Sequence, residues 1–252
     1  MFKYIKSKLK LFIALICIVL LASCQGDSKN SNLELSNFIK PEYLFQESLL
    51  SCKLVEGKTL NSVERFIPKL VNSLSQTGDS SDELYFLFPV IEDEIETQTF
   101  ELLLKQSDES SLDRFNLMLA DLSFGDIANC NVSSASSRSL RLTNQLINLS
   151  PVIAEVLECE YIDGYSYATL KLVIEQFTDA LIKNNMTIGI LYSEARNLSS
   201  NFQWTNIFSS LESRVNFVES WQELEISKEI QELLLEQSTC KSSRIYRQYK
   251  VL

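Results

Sequence analysis

The residues able to do covalent or acid–base chemistry are unevenly supplied. The 252-residue chain has six cysteines and no histidine. Lack of histidine removes the commonest general base and the commonest metal ligand. Serine and threonine are plentiful, but no GxSxG elbow occurs and no histidine is present to activate a hydroxyl. Carboxylates gather at Glu92-Asp93-Glu94 and at Glu158, Glu160 and Asp163. Such groups can exchange protons or bind calcium. With 33 acids in the chain, clusters arise from composition alone, and these are read as solvated surface. A zinc site would draw on the cysteines, yet no CxxC pair exists. No catalytic, cofactor-binding or metal residue is therefore assigned. Tyr85, Phe86, Phe88, Tyr192, Phe202, Trp204 and Phe208 fall in predicted strands and read as core or sheet–sheet packing.

Composition narrows the classes. Hydrophobic residues make up 45% and aromatics 10%, so a packed core is affordable and global disorder is excluded. The net charge is −10; the first 23 residues carry Lys3, Lys6, Lys8 and Lys10 and no acid, leaving the remainder near −14. That balance repels nucleic acid, and no nucleic-acid partner is expected.

The N-terminus has the grammar of export. Met1–Lys10 is short and basic, Leu11–Leu21 is apolar throughout, and Leu21-Ala22-Ser23-Cys24 follows. A basic n-region, an apolar h-region and a small-residue cleavage site make a secretory signal, and this apolar run is short of the ~20 residues of a spanning helix. The last four residues resemble the lipobox of bacterial lipoproteins. The resemblance implies cleavage before Cys24, diacylglycerol on its thiol, and membrane lipid as a partner. Acyl chains contribute ~0.8 kcal/mol per buried methylene, so two or three hold firmly. Gln25 stands where an inner-membrane retention signal would place Asp, which favours the outer membrane, in the periplasm or at the cell surface. Residues 24–47 read as a polar tether.

The mature chain carries an internal repeat. CKLVEGKTLNSVERFIPKLVNSL at 52–74 aligns without gaps with CEYIDGYSYATLKLVIEQFTDAL at 159–181. Cys52 matches Cys159, Gly57 matches Gly164, and Val63, Phe66, Ile67, Leu70 and Leu74 match Leu170, Val173, Ile174, Phe177 and Leu181. That spacing is one buried helix face. Short apolar runs before each glycine turn read as strands, Leu49–Val55 and Val156–Ile162. Asn61 with Glu64 has capping-box spacing, and Pro68 should kink the first helix. Further strands are predicted at Glu83–Val90, Thr97–Lys105, Ser136–Thr143, Met186–Ser193, Phe202–Phe208 and Arg244–Leu252. Amphipathic helices are predicted at Leu112–Leu122 and at Leu211–Leu235, the latter broken near Ser227.

The resulting fold class is α+β: two tandem ferredoxin-like (βαββαβ) repeats, at 48–143 and 155–252, joined by a linker at 144–154. Leu84-Tyr85-Phe86-Leu87-Phe88 is apolar toward both faces, so the two sheets should pack on each other. Four cysteines remain after Cys17 leaves with the signal and Cys24 takes lipid. Three pairings are open to Cys52, Cys130, Cys159 and Cys240; the repeat favours Cys52–Cys130 and Cys159–Cys240, because first and last strands are neighbours in this topology.

The region from 48 to 252 resembles the tandem modules of the dimeric α+β barrel class, and a group of secreted bacterial proteins with the same Cys, acid-Gly, helix and late-Cys order. No functional residue carries over from that resemblance. Some relatives in the class hold haem through a histidine that this chain lacks. The expectation is a lipid-anchored envelope module, non-catalytic and either binding or structural. The alternative is a small-ligand binder or enzyme with a cavity between the sheets, marked by convergent polar groups rather than a closed apolar seam. The anchor has a direct test. Cells fed an alkyne analogue of palmitate should label the wild-type protein and not Cys24→Ala, which should leave the membrane fraction; equal labelling and partition would contradict lipidation.

Overall fold

The computed structural model describes residues 44–76, 82–90, 98–108, 110–141, 146, 148–195 and 200–251. The signal segment, Cys24 and most of the tether lie outside them.

Strand β1, Leu44–Leu54, is built by alternation. Leu50, Cys52 and Leu54 point to a helix-covered face, while Phe45, Glu47, Leu49, Ser51 and Lys53 take the other. The strand thus begins inside the expected tether, at Leu44. A turn follows in which Gly57 holds φ +76°, and helix α1, Leu60–Gln76, begins. The helix starts one residue before Asn61, so Asn61 cannot cap it. Instead the Thr59 N–H donates to Ser62 Oγ at 3.4 Å. Pro68 lies inside this helix, which continues past it. The equivalent turn in the second half places Gly164 at φ +90°, and Ser166 and Thr169 form a capping box for α3, Tyr167–Lys183.

The remaining elements are β2 Glu83–Pro89, β3 Thr99–Gln106, α2 Ser111–Asp121, β4 Ala128–Arg141, β5 Val152–Tyr161, β6 Gly189–Ala195, β7 Asn201–Phe208, α4 Leu211–Gln222, α5 Glu225–Gln237 and β8 Ser238–Lys250. Further boundaries differ from sequence expectation. The helical break falls at residues 223–224, and Ser227 is buried inside α5. Strands β4 and β8 begin eight and six residues early, which puts Cys130 and Cys240 within strands rather than before them. Their upper parts are polar and lack the apolar alternation by which a strand is recognised (Asn129, Asn131, Ser133; Lys241, Ser242, Ser243).

All eight strands form one closed antiparallel barrel in the order β1-β3-β2-β8-β5-β7-β6-β4. Within each half the last strand flanks the first, and the third separates first from second. The halves join at β2–β8, where Phe86 opposes Tyr249, and at β4–β6, where Arg138 opposes Tyr192. Helices cover the outside. Phe66, Leu70, Phe86, Phe100, Phe115 and Phe124 pack beneath α1 and α2. Ile174, Leu181, Tyr192, Phe202, Phe208 and Ile230 pack beneath α3, α4 and α5. Inside the barrel, Tyr85, Leu87, Leu103, Ala154, Val156 and Tyr246 form a smaller apolar layer drawn from both halves. Both faces of β2 are therefore covered within one chain: Phe86 is 0% exposed and Leu87 3%.

The cysteines pair within halves. Cys52 opposes Cys130 across β1–β4 and Cys159 opposes Cys240 across β5–β8, with Cα separations of 4.0 and 3.9 Å and disulfides joining each pair. In the chain-entropy picture, loops of this length each contribute about 4 kcal/mol. They also tie the upper ends of β4 and β8 to the body of the barrel.

Candidate functional site

Unequal strand lengths open one end of the barrel. β4 meets β6 only from Ala135 onward, and β8 meets β2 only up to Tyr246. Above those points each long strand keeps one partner, and its free edge borders a recess.

The first recess, ≈670 Å³, is lined by Ser51 and Lys53 of β1, Thr99 and Glu101 of β3, Asn129 and Asn131 of β4, and Arg244 and Tyr246 of β8. These residues point inward because each strand alternates, and they come from both halves because the barrel is closed. Glu101 lies at the floor, 7% exposed. Its Oε1 accepts from Arg244 Nη1 at 3.0 Å and from Tyr246 Oη at 3.0 Å. Arg244 also donates from Nη2 to Glu158 at 2.5 Å, so one guanidinium of the second half bridges carboxylates of both halves. Burial pushes the Glu101 carboxyl above its ordinary value, against the pull of Arg244 and Tyr246. Tyr246 is pushed up by burial and by Glu101.

A second recess, ≈270 Å³, is lined by Glu47, Ser133, Ser134, Glu158, Glu160, Ser193, Asn201, Gln203 and Lys241 among others. Glu47, 7% exposed, accepts from Ser193 Oγ at 2.7 Å, and Ser193 accepts from Ser137 Oγ at 2.8 Å. Burial again raises its pKa, opposed by the Ser137 and Ser193 hydroxyls and by Lys105. Between the recesses a central cavity of ≈30 Å³ touches both Glu47 and Glu101. It is the size of one water. The lower barrel carries a different network. Although half-burial opposes it, Lys250 and Lys105 hold Glu83 down at about 2.

Of the sequence-level candidates, Glu158 and Glu160 are solvent-accessible, as expected of surface acids, and line the rim of the second recess, paired with Arg244 and with Lys241 at 2.6 Å. Glu92-Asp93-Glu94 lies outside the described residues. The aromatic set is packing: Tyr85 faces the barrel interior and Phe86, Tyr192, Phe202 and Phe208 face the helices. Sequence reading missed Glu47, Glu101 and Arg244. The available signal was a lone acid at an inward strand position, Glu101 between Phe100 and the Leu102-Leu103-Leu104 run.

No family model and no curated protein matches the sequence. Solved structures do share the fold. A candidate monooxygenase of Lactobacillus acidophilus superposes with TM-score 0.56 at 8% identity, covering 84% of this chain and 95% of that one. A dye-decolorizing peroxidase of Bacteroides thetaiotaomicron gives 0.52 at 8% identity, covering 82% and 92%. A heme-binding protein of Thermus thermophilus gives 0.51 at 7% identity, covering 82% and 92%. These values establish a shared fold.

They also correct the expectation of a non-catalytic binding or structural module. The fold is shared with a peroxidase and a heme-binding protein, and beside the apolar layer the barrel encloses buried ionisable groups, Glu47 and Glu101, under open recesses.

Haem itself does not fit the described residues. Iron takes a histidine, thiolate, methionine or tyrosine ligand. There is no histidine, the four described cysteines are in disulfides, and Met118 and Met186 are packed into the helix-covered cores. Buried tyrosines are held as neutral phenols: burial pushes Tyr161 up to about 12, and its hydroxyl bonds that of Tyr192, which donates to Glu194 at 2.7 Å. The helix-covered side of the second sheet is filled by Leu170, Ile174, Leu181, Ile188, Tyr192 and Phe208, each no more than 1% exposed. The ≈30 Å³ cavity at the centre of the barrel is far too small for a macrocycle.

Raised carboxyl pKa values have a defined consequence for stability. A folded-state pKa above the unfolded value means the native state holds the proton longer. The contribution of Glu47 and Glu101 is therefore complete below about pH 4.5 and is lost as pH rises through their folded values. The maximum slope is about 1.4 kcal/mol per pH unit for each group. Glu83 acts oppositely, its contribution fading as pH falls from 4.5 through about 2. Urea midpoints at pH 5 and pH 8 should show Glu47→Gln losing less stability over that interval than wild type. An equal or steeper loss would contradict an ionising buried Glu47.

Proposed function

We propose that this protein binds and chemically processes a small organic acid in the first recess, at the open end of the barrel. One observation carries the reading: a buried carboxyl, Glu101, sits at the floor of a ≈670 Å³ recess, held by an arginine and a tyrosine of the other half. Ligand sites are recesses of this size with few convergent polar groups, and perturbed acids gather at them. The lining has two cations: Arg244 is shared between Glu158 and Glu101, the latter biased by burial toward its neutral form, while Lys53 faces no second carboxylate of the lining. A carboxylate or phenolate completes that balance, with Asn129 and Asn131 supplying amide hydrogen bonds. Glu101 is then placed to give or take a proton on the bound molecule, while Arg244 stabilises negative charge. The peroxidase and monooxygenase that share the fold support a role in processing small molecules, and the described residues offer no fitting ligand for haem iron.

The wider setting is also ours to propose. The lipobox-like Leu21-Ala22-Ser23-Cys24 supports a lipid-anchored envelope protein, at the outer membrane or cell surface. The matched segments at 52–74 and 159–181, with the same element order and cysteine placement in each half, support an internal duplication of a ferredoxin-like unit.

Thermal-shift screening of the folded chain against small carboxylic acids and phenols tests the site. At least one compound should bind at low-millimolar or better affinity, and Lys53→Ala should weaken it about tenfold or more. A panel without binders, or binders indifferent to Lys53, would contradict the reading.

A further inference from the structure

The barrel register makes the two recesses equivalent positions of the two halves. Cys52 opposes Phe100 and Cys130, and Cys159 opposes Phe202 and Cys240. Counting inward from those pairs, Lys53 corresponds to Glu160, Glu101 to Gln203, and Glu47 to Ala154. Allowing for the bulge in β8 between its pairings with Glu158 and Cys159, Arg244 corresponds to Ser133 and Tyr246 to Ala135. Every group that characterises the first recess is therefore replaced in the second. Both cations are gone, the floor acid has become an amide, and a different buried carboxyl, Glu47, enters from a position that is alanine in the other half.

We propose that the second recess is a separate site for a small organic ammonium compound, with Glu47 as the counter-ion at its floor. The charges of the lining decide the sign. Three carboxylates face one ammonium. Glu160 is bound by Lys241, and Glu158 by Arg244 from the neighbouring recess. Glu47 has no cation within the lining. The charge that acts on it, Lys105, sits on β3 and is shared with Glu83 at 3.1 Å. The other groups on Glu47 are the Ser193 and Ser137 hydroxyls. An entering ammonium would favour the ionised form of Glu47 that burial disfavours, and Ser133, Ser193, Asn201 and Gln203 offer acceptors for its remaining N–H groups. Binding should then release a proton wherever Glu47 is protonated in the free protein. This site does not depend on the reading of the first recess.

Isothermal titration calorimetry with 1,4-diaminobutane as probe, and 1,4-butanediol as its neutral counterpart, tests the proposal on the folded chain. The diamine should bind and the diol should not. Glu47→Gln should weaken the diamine at least about tenfold, Glu101→Gln should leave it within about twofold, and buffers of different ionisation enthalpy should reveal proton release in wild type. Glu47→Asp, which keeps a carboxyl, should recover part of the binding lost in Glu47→Gln and guards against a folding defect in that variant. Equal affinity for diol and diamine, unchanged binding in Glu47→Gln, or no binding of the diamine would each overturn the assignment.

Discussion

The pairings β2–β8 and β4–β6 govern the rest of the molecule. Two separate four-stranded sheets would expose four edges and, on their inner faces, Tyr85, Leu87, Val156 and Tyr246. Closure satisfies the edges and buries those side chains at the same time. It also forces every inward residue of eight strands into one narrow space, where polar groups must find partners across halves. The Arg244 bridge between Glu101 and Glu158 and the Ser193 contact to Glu47 are such partnerships.

The interior is asymmetric along its axis. The apolar layer of Leu49, Leu87, Leu103, Ala154 and Val156 holds the middle of the barrel. Carboxyls lie beside it under the two recesses, and the Glu83–Lys105–Lys250 network forms a third, separate charged group. Paired charges of this kind add little net stability, since desolvation offsets attraction. Their retention inside a barrel that apolar residues would fill more cheaply is the physical reason to read the open end as functional. The disulfides reinforce that end by fixing β4 and β8, whose upper parts have a partner on one side only.

Much of the scaffold was legible in the sequence because it rests on helix faces and cysteine placement. Val63, Phe66 and Leu70 repeat as Leu170, Val173 and Phe177, and buried faces of that kind leave a periodic trace. The doubly apolar β2 announced that both its faces would be covered. Barrel closure left weaker traces. It depends on pairing between strands of different halves, Arg138 with Tyr192 and Phe86 with Tyr249, and the polar upper parts of β4 and β8 do not alternate like a half-buried strand. The site was less legible still. Glu47 and Arg244 sit in polar stretches indistinguishable from surface until their inward direction is known. Glu158 and Glu160 drew notice as an acidic cluster, but their role comes from Arg244 and Lys241, which only the β5–β8 pairing brings near.

Because Glu101 belongs to the first half and Arg244 to the second, their coupling reports closure and site together. A double-mutant cycle of Glu101→Gln and Arg244→Met, followed by urea denaturation near neutral pH, measures it. A closed barrel with this contact gives a coupling free energy of about 1 kcal/mol, with a single cooperative transition. Additive effects within about 0.3 kcal/mol, or two transitions for independently unfolding halves, would contradict both the closure and the site built on it.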